Sequence, residues 1–310
     1  MLPHPYGINY SVKHHNSDMD IFCDWIEAEV MFKTQELSQT DVLDYLMEQQ
    51  IYVSQEYAAE FVSLGWSQMK HRLGWLGDNS PIYFKDRRMY RVKEWMDVPA
   101  YSFCLLVSLG IKYDEWESTF GTDYTEQGRL FEHVTAEAMK KIFHEWEFEI
   151  TGWSRDNTSN IKEIVASMAF SLDENVGDLE KWTDEKAKDA GVDVYWHLPF
   201  VDKRGGSPVY LVQCASGSRW KQKLDKPNLQ DWNKYIDWVW GPSKAFSIPF
   251  ALPENVFRRR CNGFGGLFLD RYRLLSGDGG ETDWVSDSLR TGIADWLKLR
   301  IEWLVGLSIS

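Results

Sequence analysis

The 310-residue chain lacks any run near the ~20 uninterrupted apolar residues that a membrane helix needs, and no membrane partner is expected. Cysteine is scarce: Cys23, Cys104, Cys214 and Cys261 stand apart, without CxxC spacing, which excludes a disulfide framework and a zinc knot. Buried free thiols in a reducing cytoplasm are the expectation. The first residues, MLPHPYGINYSVKHHNSD, show no basic stretch followed by an apolar one, so no secretory leader is expected. There is no HxH or HExxH spacing, and His133, His144 and His197 each stand alone, as core or surface histidines do. GFGG at 263–266 is not GxGxxG, and no Ser-His-Asp or Cys-His order can be traced. Repeats and low-complexity segments are also missing.

What is abundant is aromatic surface and acid. Sixteen Trp, 14 Tyr and 16 Phe require many flat packing partners, and 44% hydrophobic residues supply an ordinary globular core. The net charge of −13 speaks against a polyanionic partner, but it is unevenly spread. Residues 1–120 carry 10 basic and 18 acidic side chains, residues 121–190 carry 8 and 16, and residues 191–310 carry 16 and 13. Because fields are screened beyond ~10 Å, the local balance governs phosphate docking, and the last third is where an anion would bind.

Hydrophobic spacing of three and four predicts helices over 18–72, with a start near Asp41 and a stop near Gly65. A turn follows at 73–81, a short hairpin at 81–92 with its bend at Asp86-Arg87, and a buried helix at 98–111. GTDYTEQG at 121–128 is the expected boundary between a mostly helical N-terminal domain, 1–120, and a second domain, 121–310. The second begins with an amphipathic helix at 129–146, then a strand at 147–153 and helices at 159–171 and 178–189. Strands are predicted at 191–200 and 207–216 around the turn VDKRGG. Helix is expected at 218–224 and 227–241, strand at 246–252 and 265–275, a loop at 276–283 and a last helix at 286–304.

An antiparallel pairing of 191–200 with 207–216 about Lys203 makes opposed positions sum to 406, so Asp193 faces Gln213. Val192, Val194 and Trp196 then share one face, and Asp193, Tyr195 and His197 the other. Opposed Cβ atoms lie roughly 4.5–5.5 Å apart, so a carboxylate and an amide oxygen there can reach one hard divalent cation.

Glu132 in RLFEHV, Asp193 in GVDVYW and Gln213 in LVQCAS resemble the motif of the PD-(D/E)XK nuclease superfamily, in its Mrr-like branch. That motif is a helix with Glu, a strand with hydrophobic-Asp, and a strand with Glu-x-Lys or Gln-x-Lys. The resemblance spans roughly residues 125–224. It implies an α/β fold, a restriction-endonuclease-like mixed sheet flanked by helices, and a Mg²⁺- or Mn²⁺-dependent endonuclease acting on nucleic acid, DNA above all. By the same resemblance Asp193 and Gln213 become metal ligands, Cys214 a main-chain carbonyl ligand, and Glu132 an outer ligand or water orienter. The motif lysine belongs at Ala215; Lys221, or in reserve Lys223, replaces it from the following element. Such domains serve prokaryotic restriction or phage defence in the cytoplasm, often with a partner protein or as homo-oligomers. The alternative is a catalytically inactive nuclease-like fold that acts as an interaction subunit of a defence complex.

Arg219, Lys221, Lys223 and Lys226 form a basic stripe read either as phosphate contacts or as a solvated face. Arg258, Arg259 and Arg260 could grip a nucleic-acid backbone or sit in an exposed loop. Trp232, Trp238 and Trp240 suit a buried helix face as well as base stacking.

Overall fold

The computed structural model describes residues 1–8, 18–151, 161–182, 190–277 and 284–307. In chain order the elements are α1 (Met19–Phe32), β1 (Glu36–Ser38), α2 (Gln39–Glu48), α3 (Gln55–Gly74), β2 (Ile82–Lys85), β3 (Arg88–Arg91), α4 (Pro99–Gly110) and α5 (Trp116–Phe120). Next come α6 (Thr125–Ile142), β4 (Glu147–Ile150), α7 (Ile161–Ser171), β5 (Asn175–Val176), α8 (Leu179–Trp182), β6 (Val194–His197) and β7 (Val209–Cys214). The chain continues through α9 (Leu229–Tyr235), β8 (Ile236–Asp237), β9 (Ser243–Ser247), α10 (Glu254–Phe264), β10 (Leu267–Leu269), α11 (Arg271–Leu275) and α12 (Asp287–Gly306). The class is mixed α/β.

Two compact units result. The first comprises Met1–Thr122, Phe250–Leu252 and Arg271–Ser310; the second comprises Asp123–Pro249 and Pro253–Asp270. The sequence expectation of one domain over 121–310 is therefore corrected at its C-terminal end. Residues from Arg271 onward join the first unit because α12 buries Ile293, Trp296 and Leu297 against α4, with Trp296 edge-on to Phe103 at 5.0 Å.

In the first unit, α1 starts at Asp18, whose carboxylate accepts from the Asp20 and Ile21 N–H groups, and α2 starts at a reciprocal Ser38–Asp41 capping box. Gly65 does not stop a helix. It lies inside α3, where a Cβ would meet the Phe22 ring at 2.3 Å, so its lack of a side chain is what lets α1 and α3 approach. The predicted hairpin forms as β2 and β3, and β1 adds to it in the order β1-β3-β2. α4 is apolar and buried on nearly all sides, with Pro99 in its first turn.

α1 also buries three acids, Asp24, Glu27 and Glu29. Asp24 receives two hydrogen bonds from Arg271, both 3.0 Å, one from Ser108 and a contact from Arg72; Glu27 takes the Tyr101 and Tyr272 hydroxyls. Burial alone would push Asp24 up, but the Arg271 and Arg72 guanidiniums hold it below the usual carboxylate range. This network had no periodic signature in the sequence.

The second unit is built on a mixed five-stranded sheet, β10-β9-β7-β6-β4. β4, β6 and β7 run antiparallel in succession, while β9 and β10 continue parallel to β7. The last predicted strand is cut short: GGLFLDRYRLL keeps only Leu267–Leu269 in the sheet before α11 begins. The strand expected at 246–252 starts earlier, at Ser243, and ends at Ser247.

Helices cover both sheet faces. α6 lies on one, its Thr135 hydroxyl 2.9 Å from that of Ser247 on β9 and its Gln127 amide donating to Ser216 O at 3.1 Å. On the other, Ile161, Ile164, Val165 and Met168 of α7 and Trp232 and Tyr235 of α9 enclose Tyr195, Val209 and Leu211. The helix expected over 227–241 ends at Tyr235 because Ile236–Asp237 turns extended and pairs with β5. Trp232 is core, Trp238 is half-buried, and Trp240 is exposed in the turn beyond, so the three do not share a helix face. The helix expected over 218–224 is a single 3-10 turn, Trp220–Lys223, with Pro227 soon after to prevent its extension. Of the helix expected at 178–189, only α8 is seen; residues 183–189, like most of the loop at 276–283, lie outside the described residues.

Candidate active site at the end of the central hairpin

β6 and β7 pair in the predicted register: Val194 faces Val212, Trp196 faces Tyr210 and His197 faces Val209. The ladder ends at Val194. The Asp193 N–H donates to Val212 O at 2.8 Å, and the next N–H along β7, that of Cys214, goes to the Asp193 carboxylate at 2.6 Å. Asp193 thus uses its side chain where a strand would use its backbone. Val192 consequently departs from the alternation predicted for it and packs with Tyr195 and Leu211, not beside Val194 and Trp196.

Asp193 Oδ2 also accepts from the Gln213 side-chain amide, whose Nε2 donates to Cys214 O at 3.0 Å as well. One amide group therefore ties a carboxylate oxygen to a main-chain carbonyl oxygen. Gln213 is 4% exposed, and its amide finds partners in this pair. The loop ahead of β6 is fixed too: the Thr151 hydroxyl donates to Val192 O at 2.9 Å, and its N–H to Asp193 O at 3.0 Å.

Strand alternation turns the Cys214 side chain the other way, toward Thr135 of α6. Its thiol is pushed well above its ordinary range by burial first and then by the Asp193 and Glu132 carboxylates, with Thr135 and Lys223 acting in the opposite sense. A protonated, buried thiol of this kind is no nucleophile. The same influences place Asp193, Glu132 and Lys223 within electrostatic reach of one sulfur. Glu132 sits half-buried at the edge of the α6 stripe formed by Gln127, Phe131 and Thr135.

The two candidate lysines separate here. Lys221 stands with its Nζ 5.7 Å from the Trp220 ring centre, whereas it is the charge of Lys223 that is felt at Cys214. Ala215, at the motif position for lysine, is 1% exposed. Lys226 packs its stem on Gly191, where a Cβ would lie 2.7 Å from the lysine Cβ; Gly191 has φ +76°, a backbone that glycine adopts freely. Arg219 is exposed beside Trp220.

The other sequence candidates divide. Arg258, Arg259 and Arg260 belong to helix α10, not to a loop, and Arg258 pairs with Glu254 at 2.5 Å. GFGG ends that helix, with Gly265 left-handed at φ +65°. Burial holds His133 and His197 below the usual imidazole value; for His133 the Arg129 charge adds to it. His197 Nε2 lies 3.4 Å from the Glu147 carboxylate, and His144 is exposed. All four cysteines are free thiols.

The donor set suits a hard cation in kind. Asp193 Oδ2 and Cys214 O converge on one point, bridged by an amide that also carries an oxygen of the hard type that Mg²⁺ and Mn²⁺ take. Among the described residues no group of three His, Cys, Asp or Glu is arranged to hold a metal. An amide and a main-chain carbonyl would have to complete such a site. Nor is any helix of the described residues long and apolar enough to cross a membrane.

No family model, no curated protein and no solved structure matches the chain.

Proposed function

We propose that the second unit is a restriction-endonuclease-like domain that hydrolyses phosphodiester bonds of DNA with the help of Mg²⁺ or Mn²⁺. The observation that carries the reading is the meeting of the Asp193 carboxylate, the Gln213 amide and the Cys214 carbonyl at the end of the β6–β7 ladder. In a generic hairpin an aspartate at a strand start points to solvent; here it is held at the end of the ladder by two donors. Asp193, Gln213 and the Cys214 carbonyl would hold the metal, with Glu132 approaching from α6 as an outer group. A divalent ion in such a place lowers the pKa of a bound water and neutralises a scissile phosphate.

The chain's own residues do the rest. The backbone N–H of Cys214 holds the Asp193 carboxylate and the Thr151 bonds hold the main chain beside it, so little reorganisation would be needed when substrate arrives. Lys223 would take the part of the missing motif lysine: it and Asp193 both act on the Cys214 thiol, while Lys221 lies against Trp220. Its ammonium would offset the negative charge that builds on the phosphorus oxygens. A cytoplasmic role in prokaryotic restriction or phage defence, with a partner protein or as a homo-oligomer, belongs to the same reading.

A second reading has a specific observation behind it. Ala215 is buried where the motif lysine belongs, which suits a silent domain serving as an interaction subunit. The deciding experiment is incubation of plasmid DNA with the protein and Mg²⁺ or Mn²⁺, alongside Asp193→Asn, Lys223→Ala and Lys221→Ala. Metal-dependent cleavage is expected, absent in Asp193→Asn and reduced roughly 10²–10³-fold in Lys223→Ala, with Lys221→Ala close to wild type. An intact plasmid together with no Mg²⁺-dependent rise in melting temperature would overturn the enzyme reading in favour of the silent subunit.

A further inference from the structure

Two basic segments about forty residues apart in sequence meet at Trp220. The Arg260 guanidinium of α10 lies 5.7 Å from the Trp220 ring centre, as does Lys221 Nζ from the neighbouring 3-10 turn. Trp220 itself packs on Phe246 of β9 and Phe268 of β10, at 6.4 and 6.1 Å. Phe264 at the end of α10 joins the same aromatic cluster, and Lys244 Nζ stands 4.3 Å from its centre. Arg260 Nε is buried with no hydrogen-bond partner among the described residues, while Arg259 beside it is exposed. The aromatic cluster thus sets α10 and the 219–226 segment side by side and rims itself with cations.

At its other end the 219–226 segment reaches the candidate site. Lys226 rests on Gly191, two residues before Asp193. Eight basic residues occur in 219–226, 244 and 254–264, against the acids Asp225 and Glu254 alone. In a chain of net charge −13 such a concentration is a local exception.

The geometry points to a phosphate-backbone track for duplex DNA, running from the arginines of α10 across Arg219 and Lys223 to Lys226 on Gly191. Where the track leads rests on the nuclease reading; whether it binds does not. Guanidinium and ammonium groups donate to phosphate oxygens, and contacts of that kind position a duplex without carrying sequence information.

The test measures binding of the full chain to a fluorescein-labelled DNA duplex in EDTA over a range of salt, so that no cleavage enters. Wild type is expected to bind with affinity falling steeply as salt rises. Arg219→Gln/Arg259→Gln, at two exposed positions, should flatten the slope of log K against log salt by about 2, near 0.9 for each phosphate that is no longer neutralised. Lys203→Gln, on the exposed hairpin turn, should leave the slope unchanged. An unaltered slope in the double variant, an equal loss in Lys203→Gln, or equally tight binding of polyglutamate would each overturn the track. Plasmid cleavage with an unaltered slope removes the track and keeps the nuclease; an altered slope with an intact plasmid and no Mg²⁺-dependent rise in melting temperature keeps the track and removes the nuclease.

Discussion

Asp193 accepts a hydrogen bond from the side-chain amide of Gln213, twenty residues further along the chain, and that amide also donates to the carbonyl of Cys214. Two oxygen acceptors are thereby held together by a neutral donor. Replacing the donor by an acceptor reverses the balance. Gln213→Glu sets two carboxylates against one another in a place where Gln213 is almost wholly buried. Without a cation, one of the pair must take up a proton or the pair must separate, at a cost of about 1–3 kcal/mol. With Mg²⁺ the second carboxylate becomes a better ligand than the amide, and binding to the folded state alone raises stability. The expected result is a lower melting temperature than wild type in EDTA and a larger rise on adding Mg²⁺. Equal Mg²⁺ responses in the two proteins would show that no cation binds between these residues.

The hairpin was legible because alternation and a turn centred on Lys203 fix a register, and Val194 opposite Val212 follows from them. The end of its ladder was not legible, since no pattern says that Asp193 will spend its carboxylate on a backbone N–H. Capping was readable at Ser38–Asp41, where spacing and chemistry coincide, but Gly65 misled: a glycine that stops a helix and one that admits a neighbouring ring look alike in sequence. The placing of Lys221 against Trp220 was not legible either, because a 3-10 turn stands where a helix was expected and rotates successive side chains by a different angle. The joining of α10 to the 219–226 segment was invisible because it passes through Trp220 and its aromatic neighbours in the sheet. The return of α12 to the first unit was hidden for a similar reason: an amphipathic stripe says that a helix is covered and not by what.

The buried charges of the first unit give a prediction about stability. Arg271 is fully buried and makes two hydrogen bonds to Asp24, while Arg72 contacts both Asp24 and Glu27. Arg271→Leu leaves two buried carboxylates to one guanidinium, and breaking a buried pair from one side costs about 3–5 kcal/mol. Asp24→Leu/Arg271→Leu removes the orphaned charge along with its partner. Urea unfolding should therefore show the double variant losing less than the two single variants combined. Strictly additive losses, or a single-variant loss below about 1 kcal/mol, would mean that these groups are not coupled through the fold.

Asp20, in the first turn of α1, sets a pH dependence. Its carboxyl is pushed up to about 6, by burial first, with Asp24 and Asp18 adding to it and Arg72 and the Gln68 amide, which donates to it at 2.7 Å, opposing. In the unfolded chain the same group titrates near its ordinary value of 3.8. Between those two values the folded state holds a proton that the unfolded state has released, so the Asp20 contribution to stability falls as pH rises from about 4 to about 6 and stays lost above. The full difference, discounted for the water that still reaches a half-buried side chain, is about 1–2 kcal/mol. Asp20→Asn keeps an acceptor for Gln68 and carries no charge to desolvate. It should raise stability at pH 7–8 by about that amount and leave it nearly unchanged at pH 4. Urea denaturation at the two pH values checks this, and a variant equally or less stable than wild type at pH 7–8 would show that the Asp20 carboxylate is comfortable where it sits.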